Sequence, residues 1–286
     1  MGAWGRRVVR VYRQTRKRHD QLWNTYVMRP LAAVAVVGLS STPITPNQVT
    51  IASLAGFVAA AASLVAADAA AGVAVAIVLL ELSYLGDCVD GMLARHRGTA
   101  SREGHLFDFF TDESKALLLV AGLSVHLWRQ GGYGIDGVWW PPGSPGFLLG
   151  GVAAVFLVAS ATSLTNFVRR PEISGRATPV AAHYEAQGDT VPRAAAGSPA
   201  WLVARVMTLL RFLNHYPSHI WLFALAGRLD VFFWMYASLN GLYLGRGWLG
   251  LLFRFGRPVF SGLDDPRSPS DGPAASSSSP EEASSR

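Results

Sequence analysis

Cysteine, lysine and charge are the scarce materials of this chain. A single cysteine, Cys88, stands in 286 residues, which excludes an intramolecular disulfide and a cysteine-rich zinc site. It reads as a small apolar residue within a helix. Lysine occurs only as Lys17 and Lys115. Charged residues make up 15% of the sequence, against about 25% in an ordinary soluble domain. That shortage excludes a soluble enzyme with a greasy core. No internal repeat is present, and no second cluster of carboxylates accompanies the one described below. The apolar run at 31–39 follows a long charged stretch and lacks an A-x-A cleavage site, so a cleavable signal peptide is not expected.

What the chain has instead is apolar length. Half of its residues are hydrophobic and the mean hydropathy is +0.26, as in a polytopic membrane protein. Stretches at 47–67, 70–95, 104–128 and 147–168 are long and apolar enough to span a bilayer. A fifth crossing is expected at roughly 209–226, kinked at Pro217, and a sixth at 231–253. Between the third and fourth lies a loop at 129–146 with Trp139 and Trp140 placed for the interface. The segment 169–199 is too polar for lipid, and beyond Phe260 the composition is that of a disordered tail.

The net charge of +6 is concentrated at the amino terminus in Arg6, Arg7, Arg10, Arg13, Arg16, Lys17, Arg18 and Arg29. No folded basic domain surrounds this run, so it reads as an anchor to the anionic cytoplasmic leaflet and not as a nucleic-acid site. With that terminus inside, Arg95, Arg97, Arg102, Arg169, Arg170, Arg176, Arg193, Arg254 and Arg257 also fall inside. Only Arg129 and Arg228 fall outside, which supports six spans with both termini cytoplasmic.

The chemistry is concentrated between Asp87 and Asp112. Asp87 and Asp90 are three residues apart and Asp108 and Asp112 four apart, so each pair shares one helix face, one turn separated. An antiparallel hairpin through 96–103 can bring the faces together. Four carboxylates at one depth repel strongly unless cations sit between them, and charges near lipid are expensive. Oxygen-only ligands suit hard ions such as Mg2+ or Mn2+, and four carboxylates suit two of them. Magnesium commonly shares its coordination with substrate phosphates, so a phosphate-bearing substrate is expected. Gly91, Ala94 and Gly104 leave space beside the helices, either for a flat substrate group or merely for helix packing. Arg95 is placed to meet a phosphate.

The whole run reads D-x2-D-G-x2-A-R-x8-G-x3-D-x3-D, from Asp87 to Asp112 without a departure at its eight fixed positions. It resembles the signature of the CDP-alcohol phosphotransferase (CDP-alcohol phosphatidyltransferase) family, membrane enzymes of phospholipid synthesis. A chance match is on the order of 10⁻¹⁰ per starting position. Thr45-Pro46-Asn47-Gln48-Val49-Thr50 is similar to the family's lead-in to its first span.

The resemblance implies an all-α, six-helix membrane bundle with a polar cavity open to the cytoplasm and a two-metal site. A CDP-linked donor would bind there, an acceptor hydroxyl would attack its β-phosphorus, and CMP would leave. The enzyme class implied is a phosphotransferase for substituted phosphate groups. By motif position Asp87, Asp90 and Asp108 become metal ligands. Asp112 becomes the general base and touches a metal too, while Gly91, Ala94, Arg95 and Gly104 border the nucleotide and its diphosphate. The expected domains are a basic, amphipathic segment at 1–46, the membrane domain at 47–257 and a disordered tail at 258–286. The partners expected are a CDP-linked lipid or alcohol donor, an alcohol acceptor, membrane lipids and a second copy of the chain, with no nucleic acid.

One departure stands out. Many relatives carry a basic residue directly after the last aspartate, whereas Glu113 follows Asp112 here. Lys115 lies near the aspartate face instead, where it either neutralises Asp112, contacts a substrate phosphate or serves as a plain counter-ion. Asn47 and Thr50 are either polar contacts beside the site or helix caps. His96 and His105 read as solvated. His215 and His219 border the fifth crossing, and Arg205 and Arg211 are either headgroup contacts or interfacial anchors.

Other readings compete, among them a catalytically silent binding protein, which the intact motif disfavours. Membrane prenyltransferases use two separated aspartate motifs, and a divalent-cation transporter is expected to show duplicated halves or broken midplane helices. Another competitor is a CDP-aminoalcohol:diacylglycerol phosphotransferase, which the Pro46-Asn47 lead-in and the amphipathic segment 20–30 resemble. CDP-diacylglycerol as donor is favoured by the short chain with six expected spans. The excess of arginine and alanine fits a GC-rich genome, and the expected location is a bacterial plasma membrane.

Overall fold

The computed structural model describes residues 2–15, 20–169 and 197–255. The polar segment after the fourth span and the tail expected at 258–286 lie outside the described residues, apart from 197–199. The chain divides into two compact units, residues 1–247 and 248–286, and the described part of the second is the end of the last helix.

The described structure is nearly all helix. It runs α1 (Ala3–Thr15), a π-helical turn (Asn24–Met28), α2 (Arg29–Leu39), α3 (Pro46–Ala66), α4 (Ala70–Arg97) and α5 (Arg102–Gln130). A two-residue hairpin follows, β1 (Gly132–Tyr133) against β2 (Trp139–Trp140), antiparallel with Gly132 opposite Trp140. Then come α6 (Pro145–Arg169), α7 (Pro199–Asn214), a 3-10 turn (Tyr216–Ser218), α8 (Ile220–Leu225) and α9 (Leu229–Phe255).

Among the described residues α3, α4 and α6 are long and apolar enough to cross a membrane, and the protein is an integral membrane protein. α5 has the length, at 29 residues, but Asp108, Asp112, Glu113 and Lys115 occupy its first half. α9 is 27 residues long. The fifth crossing expected at 209–226 is not one helix. It is divided between α7, the 3-10 turn and the six-residue α8. Pro217 has no amide hydrogen to continue a helix and disfavours helical geometry at the residue before it. His215, with φ −87° and ψ 80°, has already left the helical region.

Local signals explain the boundaries around the site. α3 opens on a capping box: Gln48 N donates to Thr45 Oγ1 at 3.3 Å, and Thr45 N donates to Gln48 Oε1 at 2.9 Å. Pro46 occupies the first turn, where its missing N–H costs nothing. The cap is therefore Thr45, and neither Asn47 nor Thr50 performs it. α4 stops at Gly98, whose φ of 67° is the left-handed conformation that favours glycine. Ser101 Oγ then accepts from Gly104 N at 3.0 Å to start α5. Arg97 holds the preceding connection, donating to Ile44 O, Leu39 O and Thr42 O at 2.5–2.8 Å.

Two apolar clusters hold the helices together. One joins α3, α4, α5, α6, α8 and α9 through Phe57, Leu80, Leu123, Phe147, Ile220 and Phe232. The other seats α1 and α2 on α4 through Val11, Val36, Met92 and Leu93. α1 is amphipathic: Val11 and Thr15 are buried, while Arg6, Arg7, Arg10 and Arg13 are exposed.

The expected loop at 129–146 contains the hairpin, which Asp230 clamps. Asp230 Oδ2 accepts from Tyr133 N at 2.9 Å, and Oδ1 accepts from Arg228 Nε at 3.0 Å. Arg129 binds Asp68 at 2.6 Å. The two arginines expected outside thus both have structural partners at the same end of unit 1 as the hairpin and the α3–α4 turn.

Asp20 organises the approach to α2. It accepts from Asn24 Nδ2 at 2.8 Å and from Arg29 Nε at 2.7 Å. Burial alone would raise its pKa, but the Arg29 charge and the donors from Asn24, Arg29 and Gln21 outweigh burial and hold it below the ordinary 3.8. A carboxyl whose folded pKa is depressed stabilises the fold above its unfolded pKa, and loses that contribution as pH falls through the folded value. The melting temperature of wild type is therefore expected to exceed that of Asp20→Asn at neutral pH. The difference should shrink as pH drops below the ordinary carboxylate range. A difference that stays constant across that range overturns the assignment.

Candidate metal and nucleotide site

Faces of three helices, α3, α4 and α5, build the site. Asp87 and Asp90 lie one turn apart on α4, and Asp108 and Asp112 one turn apart on α5. Asp87, Asp90 and Asp108 converge: one carboxylate oxygen of each lies within 4.8 Å of the others. Asp90 is buried and the other two are half-buried. Asp112 is not in this triad. It is exposed.

Hydroxyls of α3 hold the carboxylates of α4. Thr50 Oγ1 donates to Asp90 Oδ2 at 2.5 Å, and Ser53 Oγ lies 2.6 Å from Asp87 Oδ1. Thr50 and Ser53 are three residues apart, the same spacing as Asp87 and Asp90, so two antiparallel helices in register pair them one to one. Thr50 was singled out from sequence; Ser53 was not. The repeated three-residue spacing of polar groups in an otherwise apolar helix was the signal that could have found it. Gly86 permits the close approach, since a Cβ there would stand 2.9 Å from Ser53 Cβ.

Lys115 is fully buried on α5 and does not pair with Asp112 as one reading expected. Its ammonium bonds Asp87 Oδ1 and donates to Ser53 Oγ at 2.8 Å. Glu113, which takes the place of the usual basic residue, accepts from Asn166 of α6 at 3.0 Å.

The residues expected around the nucleotide lie at the end of α4 and the start of α5. Arg95 is exposed and lies across Gly91, with a guanidinium nitrogen 3.3 Å from where a Gly91 Cβ would stand. Arg95 Nε donates to Thr15 O at 3.0 Å, which ties α1 to the site. Ala94 is half-buried, and its carbonyl accepts from Thr99 N at 3.0 Å in the turn that ends α4. Gly104 and Asn47 are neighbours: a Cβ on Gly104 would come 3.7 Å from Asn47 Oδ1.

Over residues 43–178 the chain matches the model of the CDP-alcohol phosphatidyltransferase family. These residues are a CDP-alcohol phosphatidyltransferase domain. None of the curated proteins compared with the chain matches it. The matched stretch contains all eight signature positions, the helices α4 and α5 that carry them, and α3. Such enzymes are transferases of phospholipid synthesis, and this one brings an aspartate triad with hard oxygen donors to one point. The triad fits a divalent ion by donor chemistry, and Asp87 Oδ2 is buried with no hydrogen-bond partner.

Residues beyond the matched stretch pack against the helices that carry the site. Tyr216 meets Phe57 of α3 edge to face, 6.1 Å between ring centroids, and Tyr236 of α9 lies beside Tyr216. The two rings meet edge to face, 6.4 Å between centroids. The histidines suspected at the fifth crossing serve the fold. His215 lies between Tyr84 OH at 2.7 Å and Ser218 Oγ at 2.6 Å, and His219 Nε2 lies 3.0 Å from Leu213 O. Tyr84 OH also donates to Asn24 Oδ1 at 2.6 Å. His96 is exposed and His105 half-buried. Cys88 is buried in the cluster beneath α2.

Proposed function

We propose that the protein transfers a phosphatidyl group from CDP-diacylglycerol to an acceptor hydroxyl, with release of CMP. The observation that carries this reading is the convergence of Asp87, Asp90 and Asp108 within a complete family signature. The reading places the catalytic membrane domain at 47–257 in a six-helix bundle, the basic segment at 1–46 and the tail at 258–286. Both termini and the polar cavity face the cytoplasm of a bacterial plasma membrane, on the arginine and lysine asymmetry.

Asp87, Asp90 and Asp108 would hold Mg2+ or Mn2+, with Asp112 beside them completing a place for a second ion. Bound there, the metal supplies Lewis-acid charge that neutralises the diphosphate and the leaving CMP. Asp112 accepts the proton of the acceptor hydroxyl as its oxygen bonds to the β-phosphorus and the bond to CMP breaks. Its exposed position suits that role. Arg95 presents its guanidinium to the diphosphate, and Gly91, Ala94 and Gly104 leave room for the nucleotide. Asn47 and Thr50 line the α3 side.

The test supplies purified protein in lipid with Mg2+ and either CDP-diacylglycerol plus a panel of alcohols or CDP-aminoalcohols plus diacylglycerol. CMP release that requires both metal and CDP-diacylglycerol is expected, and the alcohol that raises it identifies the product headgroup. Release only from a CDP-aminoalcohol favours the aminoalcohol branch. No CMP from any donor, together with Mn2+ flux into liposomes, overturns the transferase reading in favour of a transporter.

A further inference from the structure

Lys115 has a place that phosphoryl transfer does not by itself require. An ammonium with no exposed surface persists only beside an opposite charge and hydrogen-bond acceptors. Lys115 has both in Asp87 Oδ1 and Ser53 Oγ. Ser53 is itself fixed: its Oγ lies 2.6 Å from Ser83 O, and Ser83 Oγ donates to Ser53 O at 2.8 Å. Helices α3, α4 and α5 thus all contribute to a clamp on one oxygen of one aspartate. The other oxygen, Oδ2, is buried and has no partner.

We infer that Lys115 is a positioning residue. With Ser53 it fixes the Asp87 carboxylate through Oδ1 and so presents Oδ2 to the divalent ion shared with Asp90 and Asp108. This rests on the metal-dependent reading above. It assigns Lys115 neither to the substrate phosphate nor to Asp112. It also gives Ser53 a function through its bond to the same oxygen.

The sign of one measurement separates this role from simple charge balance. Removing a positive charge beside a cation site lowers repulsion and by itself tightens cation binding. Releasing a ligand from its supporting partners instead weakens metal affinity, by about 10–100-fold in well-studied sites. Lys115→Met keeps the length of the side chain and removes the ammonium. Mn2+ binding to the purified full chain in detergent, followed by the EPR signal of free Mn2+ without nucleotide, is expected to weaken about tenfold or more. Ser53→Ala, which keeps the Lys115 charge, is expected to weaken it by a smaller factor.

Unchanged or tighter Mn2+ binding by folded Lys115→Met overturns the inference. So does a lowered melting temperature with unmoved Mn2+ affinity, the pattern of a purely structural lysine. Should Lys115→Met not yield monodisperse protein, Ser53→Ala decides, and wild-type affinity in that variant overturns the clamp. Wild-type protein that binds Mn2+ yet releases no CMP from any donor removes the transferase reading and leaves the clamp standing.

Discussion

Asp112→Asn lowers kcat for CMP release by about 10²–10⁴-fold, the usual contribution of a positioned general base, and changes Mn2+ affinity at the site of Asp87, Asp90 and Asp108 little. Both halves follow from where Asp112 stands. It shares a face of α5 with Asp108 yet is not in the triad whose oxygens lie within 4.8 Å of one another. It is exposed, where the three triad carboxylates are buried or half-buried. Asparagine preserves the size of the side chain and removes its ability to take a proton. Radiolabelled CMP release at saturating metal, beside Mn2+ titration of the same preparation, measures both. Turnover equal to wild type sinks the base assignment. A loss of Mn2+ binding as large as the loss of turnover reassigns Asp112 as a primary ligand.

Asp90→Asn is expected to remove both properties at once. Asp90 is the most buried of the triad at 3% exposure, and Thr50 Oγ1 already satisfies Oδ2. One oxygen of the carboxylate lies within 4.8 Å of oxygens of Asp87 and Asp108. Replacing it with an amide withdraws one charge and one hard oxygen from a donor set of three. Metal charge stabilisation is worth several kcal/mol in the transition state, and about 1.4 kcal/mol is a factor of ten, so turnover should fall by roughly 10³-fold or more. Saturable Mn2+ binding should disappear over the range that fills the wild-type site. Wild-type Mn2+ affinity in Asp90→Asn, with the protein folded by circular dichroism, excludes the triad as the metal site.

The contrast between these variants depends on a separation that spacing could not reveal. Four aspartates in two pairs at three and four residues must lie on helix faces, and the helical repeat is enough to say so. Which three of the four converge depends on the axial shift and rotation between α4 and α5, and no local pattern encodes that. Lys115 shows the same limit. Counting along α5 placed it near the aspartate face, but its partner proved to be Asp87 on another helix and not Asp112 on its own. Ser53 and Gly86 mark where α3 approaches α4 closely, and their importance exists only across that contact.

Helix boundaries were more legible, because their causes are local. Pro46, Gly98 and Ser101 act through their own backbone or their nearest neighbours, so the first four expected spans fall within a few residues of α3, α4, α5 and α6. The fifth expectation failed where local and long-range forces diverge. Apolar content at 209–226 argued for one crossing, while Pro217 and the His215 bonds to Tyr84 and Ser218 divide it into α7, a turn and α8. The pairing of His215 with Tyr84 spans 131 residues and leaves no trace in composition.

By itself the sequence determined the membrane character, the helical class and the run of eight signature positions. Each of these rests on composition or on spacing along the chain. The tertiary structure alone decided the division of the four carboxylates into a triad and a separate Asp112. It alone decided the clamp of Lys115 and Ser53 on Asp87 and the packing of Tyr216, from beyond the matched stretch, against Phe57 of α3. Those depend on register between helices, which is set by the packing of small residues such as Gly86 against a neighbour and not by any pattern along a single helix.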